Sequence, residues 1–337
     1  MLNKRSVFIF LSLVMWQVLS SCTPPYTGHI NTQYILHANI NCSDFEQSKN
    51  FYQMLGFVPL MEIDVDVSDP NEAVGLNMPP YQLHAAPMGL RYGTSESYVI
   101  DLIKWIDPYD PSPPYALINH LGLSRLSLKT TNLDADIALL QAQGVVLYAD
   151  PVTINRPVEN SRLVVFTDPD GTLIELVEPG DAVIGTPNAS GTYISGALQT
   201  SVNCSNYEQS KSFYEMIGFV TQAEVEEMGS PELATAVGLP SYHVRASTMA
   251  LPRGHSLNLT KWEDPYDTST PYGMLNHIGI PRFAIVTNNL DEDVSILRDQ
   301  GVEFYADPIR PSGSFGIFRF ACFEDPDGTV IELVQYF

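Results

Sequence analysis

The side chains able to do chemistry recur in pairs along the chain. His37, Asn39 and Asn41 alternate with Leu36, Ala38, Ile40 and Cys42, a period of two that puts an imidazole and two amides on one face of a strand and apolar groups on the other. One face is expected to meet a helix and the other a polar space. Asp168-Pro-Asp-Gly171 and Asp325-Pro-Asp-Gly328 bring two carboxylates together between apolar strands. A calcium loop is one reading, but a tight turn in which glycine supplies a positive φ explains the same residues and is preferred. His120 and His277 stand in a repeated Asn-His segment and are read as structural hydrogen-bonders. Trp105 and Trp262 precede similar Asp-Pro-Tyr-Asp runs and are read as packed hinges. His84 has Arg245 as its counterpart and receives no special role. Cys42 and Cys204 occupy matching places and suit small buried hydrophobes. Cys322 has no partner in the first copy, and no disulfide is expected.

These residues are carried by one module written twice. His37 onward matches Gln199 onward at an offset of 162 residues, and Asp101 onward matches Asn258 onward at 157. Within each copy a helix follows the first strand, starting at Asp44 or Asn206 and stopping at Gly56 or Gly218, with cap residues at both ends. Phe45, Tyr52 and Leu55 give the first of these helices an apolar face. A second helix carries Leu133, Ile137 and Leu140, or Leu290, Val294 and Leu297, at helical spacing, and ends at Gly144 or Gly301. Each copy thus divides into two βαβββ units, four in all.

A chain of 337 residues suits about two domains. The composition, 45% hydrophobic and 17% charged, is that of a globular protein. A formal charge of −22, with Lys and Arg scattered singly, would repel a phosphate backbone, so nucleic acid is not an expected partner. Residues 1–22 pair a basic start, Lys4 and Arg5, with an apolar run from Val7 to Leu19, too short to span a bilayer comfortably. This reads as an export signal. Its end, Leu19-Ser20-Ser21-Cys22, resembles the bacterial lipobox, in which Cys22 would be acylated. The alternative is a cleaved signal with a chance cysteine. The expected organisation is a lipoprotein-type signal peptide (1–22), a tether (23–33), a first module (34–178), a linker rich in Pro, Gly and small residues (179–191) and a second module (192–337). The expected location is a bacterial membrane facing the periplasm, with Thr23 after the cysteine favouring the outer membrane.

The His-x-Asn-x-Asn opening with its following helix, the NLDADIALLQAQGV helix and the DPDGTLIEL close, repeated in the second copy, resemble the vicinal oxygen chelate superfamily. That family includes glyoxalase I, extradiol dioxygenases and bleomycin-resistance proteins. The resemblance covers nearly all of residues 34–337 and implies an α+β fold, a tandem pair of modules, each of two βαβββ units forming a curved mixed sheet with a concave cup that commonly holds a divalent metal. Family ligand positions come from the first and last strands of each unit. They fall here on His37, Asp101, Arg125 and Glu175 in the first copy, and on Gln199, Asn258, Arg282 and Glu332 in the second. Arginine cannot ligate, because its guanidinium has donors only and stays protonated.

We therefore expect Arg282 to pair with Glu332, leaving a degenerate second cup without metal, and Arg125 to pair with Glu175 or Asp101. His37, Asp101 and Glu175 keep open a weak divalent site in the first module, should Arg125 swing aside. Asn39, Asn41, Ser127 and Lys129 share strand parity and would line the same cup as ligand-binding groups with Asp101 and Arg125. Three functions follow. One is an exported small-molecule-binding protein without a tightly bound metal, as bleomycin-resistance relatives sequester drug. Another is a glyoxalase-type lyase or isomerase with Glu175 and His37 as catalytic groups. The third is a structural envelope lipoprotein. A ring-cleaving dioxygenase would need two histidines and a carboxylate around iron, which neither copy offers.

Overall fold

A computed structural model describes residues 30–90, 98–154, 160–311 and 317–337. The export segment, Cys22 and tether residues 23–29 lie outside the described residues. Among the described residues no helix is long and apolar enough to cross a membrane.

The first copy supplies β1 (Thr32–Asn41), α1 (Phe45–Met54), β2 (Phe57–Pro59), β3 (Ile63–Val65), α2 (Pro70–Gly75), β4 (Gln82–Leu90) and β5 (Tyr98–Asp107). Its second unit is β6 (Gly122–Thr130), α3 (Leu133–Ala142), β7 (Val152–Ile154), β8 (Ser161–Thr167) and β9 (Leu173–Pro179). The second copy begins with β10 (Ile194–Asn203), α4 (Tyr207–Met216), β11 (Val220–Gly229), α5 (Pro231–Ala236), β12 (His243–Ala250) and β13 (Ser256–Asp264). It closes with β14 (Arg282–Thr287), α6 (Leu290–Asp299), β15 (Phe318–Glu324) and β16 (Val330–Tyr336). Caps fall where the sequence places them: Asp44 and Asn206 accept from Gln47 N and Gln209 N, and Gly56 takes φ +102° just past α1.

The fold is α+β, with two eight-stranded mixed sheets. One runs β15-β16-β14-β1-β5-β4-β2, with β3 also on β4; the other runs β11-β12-β13-β10-β6-β9-β8-β7. Each sheet therefore joins the first unit of one copy to the second unit of the other. The joints are antiparallel, β1 to β14 and β10 to β6. This corrects the grouping of residues by copy, since the first copy's two units lie in different sheets. Two similar units make pairing within a copy and between copies equivalent as patterns, so hydrophobic periodicity cannot choose between them.

The exchange is held by side chains that the repeat duplicates. Asn41 donates from Nδ2 to the carbonyls of Leu275 (2.7 Å) and His277 (2.6 Å) and accepts the Trp105 indole N–H at 3.1 Å. Asn203 does the same to Ile118 and His120, and accepts from Trp262 at 3.2 Å. Asn41 is thus a clamp on the other copy's crossing segment and not a ligand-binding group. Tyr115 and Tyr272 stack at 4.7 Å between the two crossings. His120 and His277 bond through Nδ1 to the carbonyls of Leu121 and Ile278.

Between the sheets lies the largest core cluster, which includes Ile40, Tyr52, Leu126, Leu140, Tyr214, Phe283 and Leu297. Two smaller clusters sit on the opposite sheet faces. The Asp-Pro-Asp-Gly turns reach into the interior: Tyr52 and Tyr214 donate to Asp168 and Asp325 at 2.9 Å, and Ser43 and Ser205 donate to Asp170 and Asp327. These bonds tie β1 and α1 of one sheet to the β8–β9 turn of the other within a copy. Cys42, Cys204 and Cys322 are buried free thiols. Two local expectations are corrected. A register shift between Ile35 and His37 turns Ile35 into the main core and Leu36 toward the smaller cluster, so the alternation starts one residue later. The tether is also shorter than 23–33, because Ile30 is buried, the Asn31 N–H bonds Asp293 and β1 begins at Thr32.

Candidate functional site: two composite cups

Register across the first sheet builds a polar stripe from five neighbouring strands. Asn39 on β1 lies opposite Asp101 on β5, and Glu332 on β16 sits between Ala284 on β14 and Cys322 on β15. Arg282 enters from the start of β14. Its Nε lies 3.2 Å from Glu332 Oε2 and donates to Asn39 Oδ1 at 3.0 Å, while Asn39 Nδ2 donates to Asp101 Oδ2 at 3.0 Å. A hydrogen-bonded relay thus runs from Arg282 through Asn39 to Asp101. His37 completes the stripe, its buried Nε2 without a hydrogen-bond partner, and Glu332 Oε2 likewise accepts no directed hydrogen bond.

Burial sets the electrostatics. His37 is pushed down to about 3 by burial and then by the Arg282 charge, so at neutral pH its ring is neutral. Asp101 is raised to about 6 by burial, with Arg282 pulling it down and Glu332 pushing it up. Burial also raises Glu332, against the pull of Arg282. For Arg282, burial works against the charge, but the carboxylate of Glu332, with help from Cys322, Asp101 and Tyr81, holds its pKa above the ordinary value. The Cys322 thiol is driven well up by burial, which makes it a neutral wall group.

Apolar side chains surround the stripe. Ala73 of α2, Leu76, Met78 and Tyr81 pack with Leu275, Phe320 and Cys322 in one cluster. Gly75 lets α2 lie against β15, since a Cβ there would come within 2.8 Å of Ile309 and 3.2 Å of Phe320. Tyr81 meets Trp105 edge to face at 5.1 Å.

The second sheet carries the equivalent cup with a different lining. Arg125 Nε lies 3.2 Å from Glu175 Oε2, and Ser127 donates to that same oxygen at 2.8 Å. Ser201 replaces Asn39 and lies in register with Asn258 and Arg125. Gln199 pairs with Ser127, and Lys129 lies two residues beyond it. Asn258 Oδ1 accepts from Thr260 at 2.6 Å. Arg125 Nε and Ser201 Oγ are buried without a hydrogen-bond partner.

The sequence therefore named the stripe residues but sorted them wrongly. His37 and Asp101 share a sheet with Arg282 and Glu332, whereas Arg125, Glu175, Ser127 and Lys129 lie on the other sheet with Gln199 and Asn258. A site of His37, Asp101 and Glu175 is not assembled, because the first copy's units part company. Arg125 pairs with Glu175 and not with Asp101, for the same reason. Tyr81 and Cys322 were missed as cup groups. Cys322 could have been found by alternation along β15, where it shares a face with Phe320, but its target became visible only once β15 was paired with β16.

A divalent metal, which the fold family implies, does not fit these residues. In both cups a guanidinium occupies one of the four ligand positions and binds the carboxylate that a cation would need. Among the described residues no three His, Cys, Asp or Glu side chains are grouped so as to hold a metal ion.

Comparison with known proteins agrees with this architecture. Residues 34–176 and 196–333 each match the model of the Glyoxalase/Bleomycin resistance protein/Dioxygenase superfamily. The uncharacterized protein YwkD of Bacillus subtilis is 30% identical over 146 residues, 43% of this chain and 95% of its own length. Among solved structures, glyoxalase I from Zea mays superposes with a TM-score of 0.61 at 18% identity, covering 90% of this chain and 92% of that one. A mutant of the same enzyme gives 0.63 with the same identity and coverage. At this identity the likeness shows the fold alone. With both halves of the chain matched, the protein belongs to the Glyoxalase/Bleomycin resistance protein/Dioxygenase superfamily.

Proposed function

We propose that this protein is a small-molecule-binding member of the superfamily, exported and tethered through Cys22, whose working cup is the composite one lined by His37, Asn39, Asp101, Arg282 and Glu332. One observation carries the reading. Two buried polar atoms of the stripe make no well-directed hydrogen bond within the protein: His37 Nε2, and Glu332 Oε2, whose partner is the Arg282 guanidinium at 3.2 Å. A buried polar atom without a good hydrogen bond costs about 1–3 kcal/mol, a cost that a polar ligand on His37 Nε2 would remove while adding a second partner to Glu332. The Arg282–Glu332 ion pair stands where the family places metal ligands, so the cup works by hydrogen bonding and charge. The test is a thermal-shift screen of carbonyl compounds, catechols and organic cations against the wild-type protein and an Asn39→Ala variant. A ligand that raises the midpoint of the wild type, and fails to raise that of the variant, supports the reading. Stabilisation by no class of compound contradicts it and favours a structural envelope protein.

A second reading, a lyase or isomerase of glyoxalase type, draws on Asp101. Burial raises its carboxyl to about 6, within the range where a side chain exchanges protons near neutrality. Asp101, and not Glu175, would then share the catalytic role with His37. Turnover of any stabilising carbonyl compound, abolished by Asp101→Asn and with a pH inflection near 6, would establish it; binding without turnover excludes it.

A further inference from the structure

The two cups differ in what they leave unmet. In the first, Arg282 Nε donates to Asn39, and the member of the ion pair left without a directed hydrogen bond is an acceptor, Glu332 Oε2, 3.2 Å from that nitrogen. In the second, Ser127 donates to Glu175, and the member of the ion pair left without a directed hydrogen bond is a donor, Arg125 Nε, 3.2 Å from that carboxylate, with Ser201 Oγ also unbonded nearby. The charge balance differs in the same direction. The first stripe sets one guanidinium against two carboxyls, and only Glu332 lies within ion-pair distance of it. The charged groups acting on Asp101 are Arg282 and a second carboxylate, Glu332. The second stripe has one guanidinium and one carboxylate, because Asn258 stands where Asp101 stands in the first, and Lys129 adds a second cation farther along β6.

Resting on the binding function proposed above, we infer that the His37–Asp101–Arg282–Glu332 cup selects an organic monocation: an ammonium head that donates to Glu332 and His37 beside Asp101, on an apolar body that packs against Met78, Tyr81 and Leu275. The neutral His37 ring can accept through Nε2, and a cation would favour the ionised form of the second carboxyl in a stripe that sets two carboxyls against one guanidinium. The net charge of −22 raises the local concentration of cations around the protein. The second cup, with Arg125 and Lys129 against a single carboxylate, is not expected to bind such a ligand.

Three probes of one shape test this by calorimetric titration at pH 7.5: benzylamine as the cation, benzyl alcohol as the neutral form and benzoate as the anion. Wild type, Asp101→Asn and Asn258→Asp are compared, with far-UV circular dichroism confirming that each is folded. The expected result is saturable benzylamine binding that weakens at least about tenfold in Asp101→Asn while the weaker benzyl alcohol binding is unchanged. Asn258→Asp, which gives the second cup the same extra carboxylate, is expected to add a second benzylamine site. Benzyl alcohol or benzoate binding as tightly as benzylamine, or benzylamine binding indifferent to Asp101→Asn, overturns the charge selection and leaves the binding function standing. No saturable binding of any probe overturns both.

Discussion

At the scale of single residues, the decisive feature is an arginine in each cup at a position where the family supplies a metal ligand. Arg125 and Arg282 were legible in the sequence because a guanidinium has donors only and cannot offer a lone pair to a metal. Their carboxylate partners were legible for the same reason. The Asn39 relay was not, since it depends on β1 lying beside β14, which no local pattern specifies. Buried titratable groups also leave a pH signature. His37, His120 and His255 are pushed down to about 3, 4 and 4 by burial, so acid protonates them in the unfolded chain first, and stability is lost as pH falls below about 6.5. Asp101, Asp168 and Asp325 are raised to about 6, chiefly by burial, so the folded chain holds their protons first, and stability is gained as pH falls from 6 toward 4. The two sets oppose each other. Removing one histidine should therefore unmask the carboxylates: relative to wild type, His255→Gln is expected to gain about 2 kcal/mol on going from pH 7 to pH 5. Urea unfolding at the two pH values measures it, and an unchanged difference would mean that His255 is not held neutral.

At the scale of elements, the sequence located helices and turns well because their signals are local. Asp44 and Asn206 cap as read, and the Asp-Pro-Asp-Gly turns place glycine at φ +100° and +99°. It missed what those elements grip. Asn41 looked like a cup residue from its strand parity, yet it and its counterpart Asn203 each spend the amide on two backbone carbonyls of the opposite copy and the oxygen on a tryptophan. Parity reports a face, and the end of a strand on that face can meet a crossing segment instead of a ligand. Asn41→Ala is expected to destabilise the protein by about 2–4 kcal/mol, since three buried bonds go and their partners are left unmatched. Asn203→Ala should cost a similar amount, which differential scanning calorimetry can verify. A cost below about 0.5 kcal/mol in both would remove the clamp from the account.

At the scale of the whole molecule, duplication and exchange act together. Each sheet takes strands from both copies, five and three in one and four and four in the other, so a lone copy would expose the paired edges of β1 and β6. The first module expressed alone, residues 34–178, is therefore expected to self-associate through those edges, and mixing it with residues 192–337 should yield a 1:1 complex by light scattering. A stable monomer of the first module that forms no complex with residues 192–337 would contradict this expectation. The exchange also lets the cups diverge, because four units contribute separately: His37 and Asp101 share a sheet with Arg282, and Asn258 and Gln199 share one with Arg125. The claim on which the account turns is that Arg282 takes a metal ligand's place in the first of these cups. Calorimetric titration of zinc and manganese into the wild-type and Arg282→His proteins tests it most directly. The account predicts no stoichiometric binding by the wild type and one new site in Arg282→His that is lost when His37→Ala is added. Tight one-to-one binding by the wild type, abolished by His37→Ala, would contradict it.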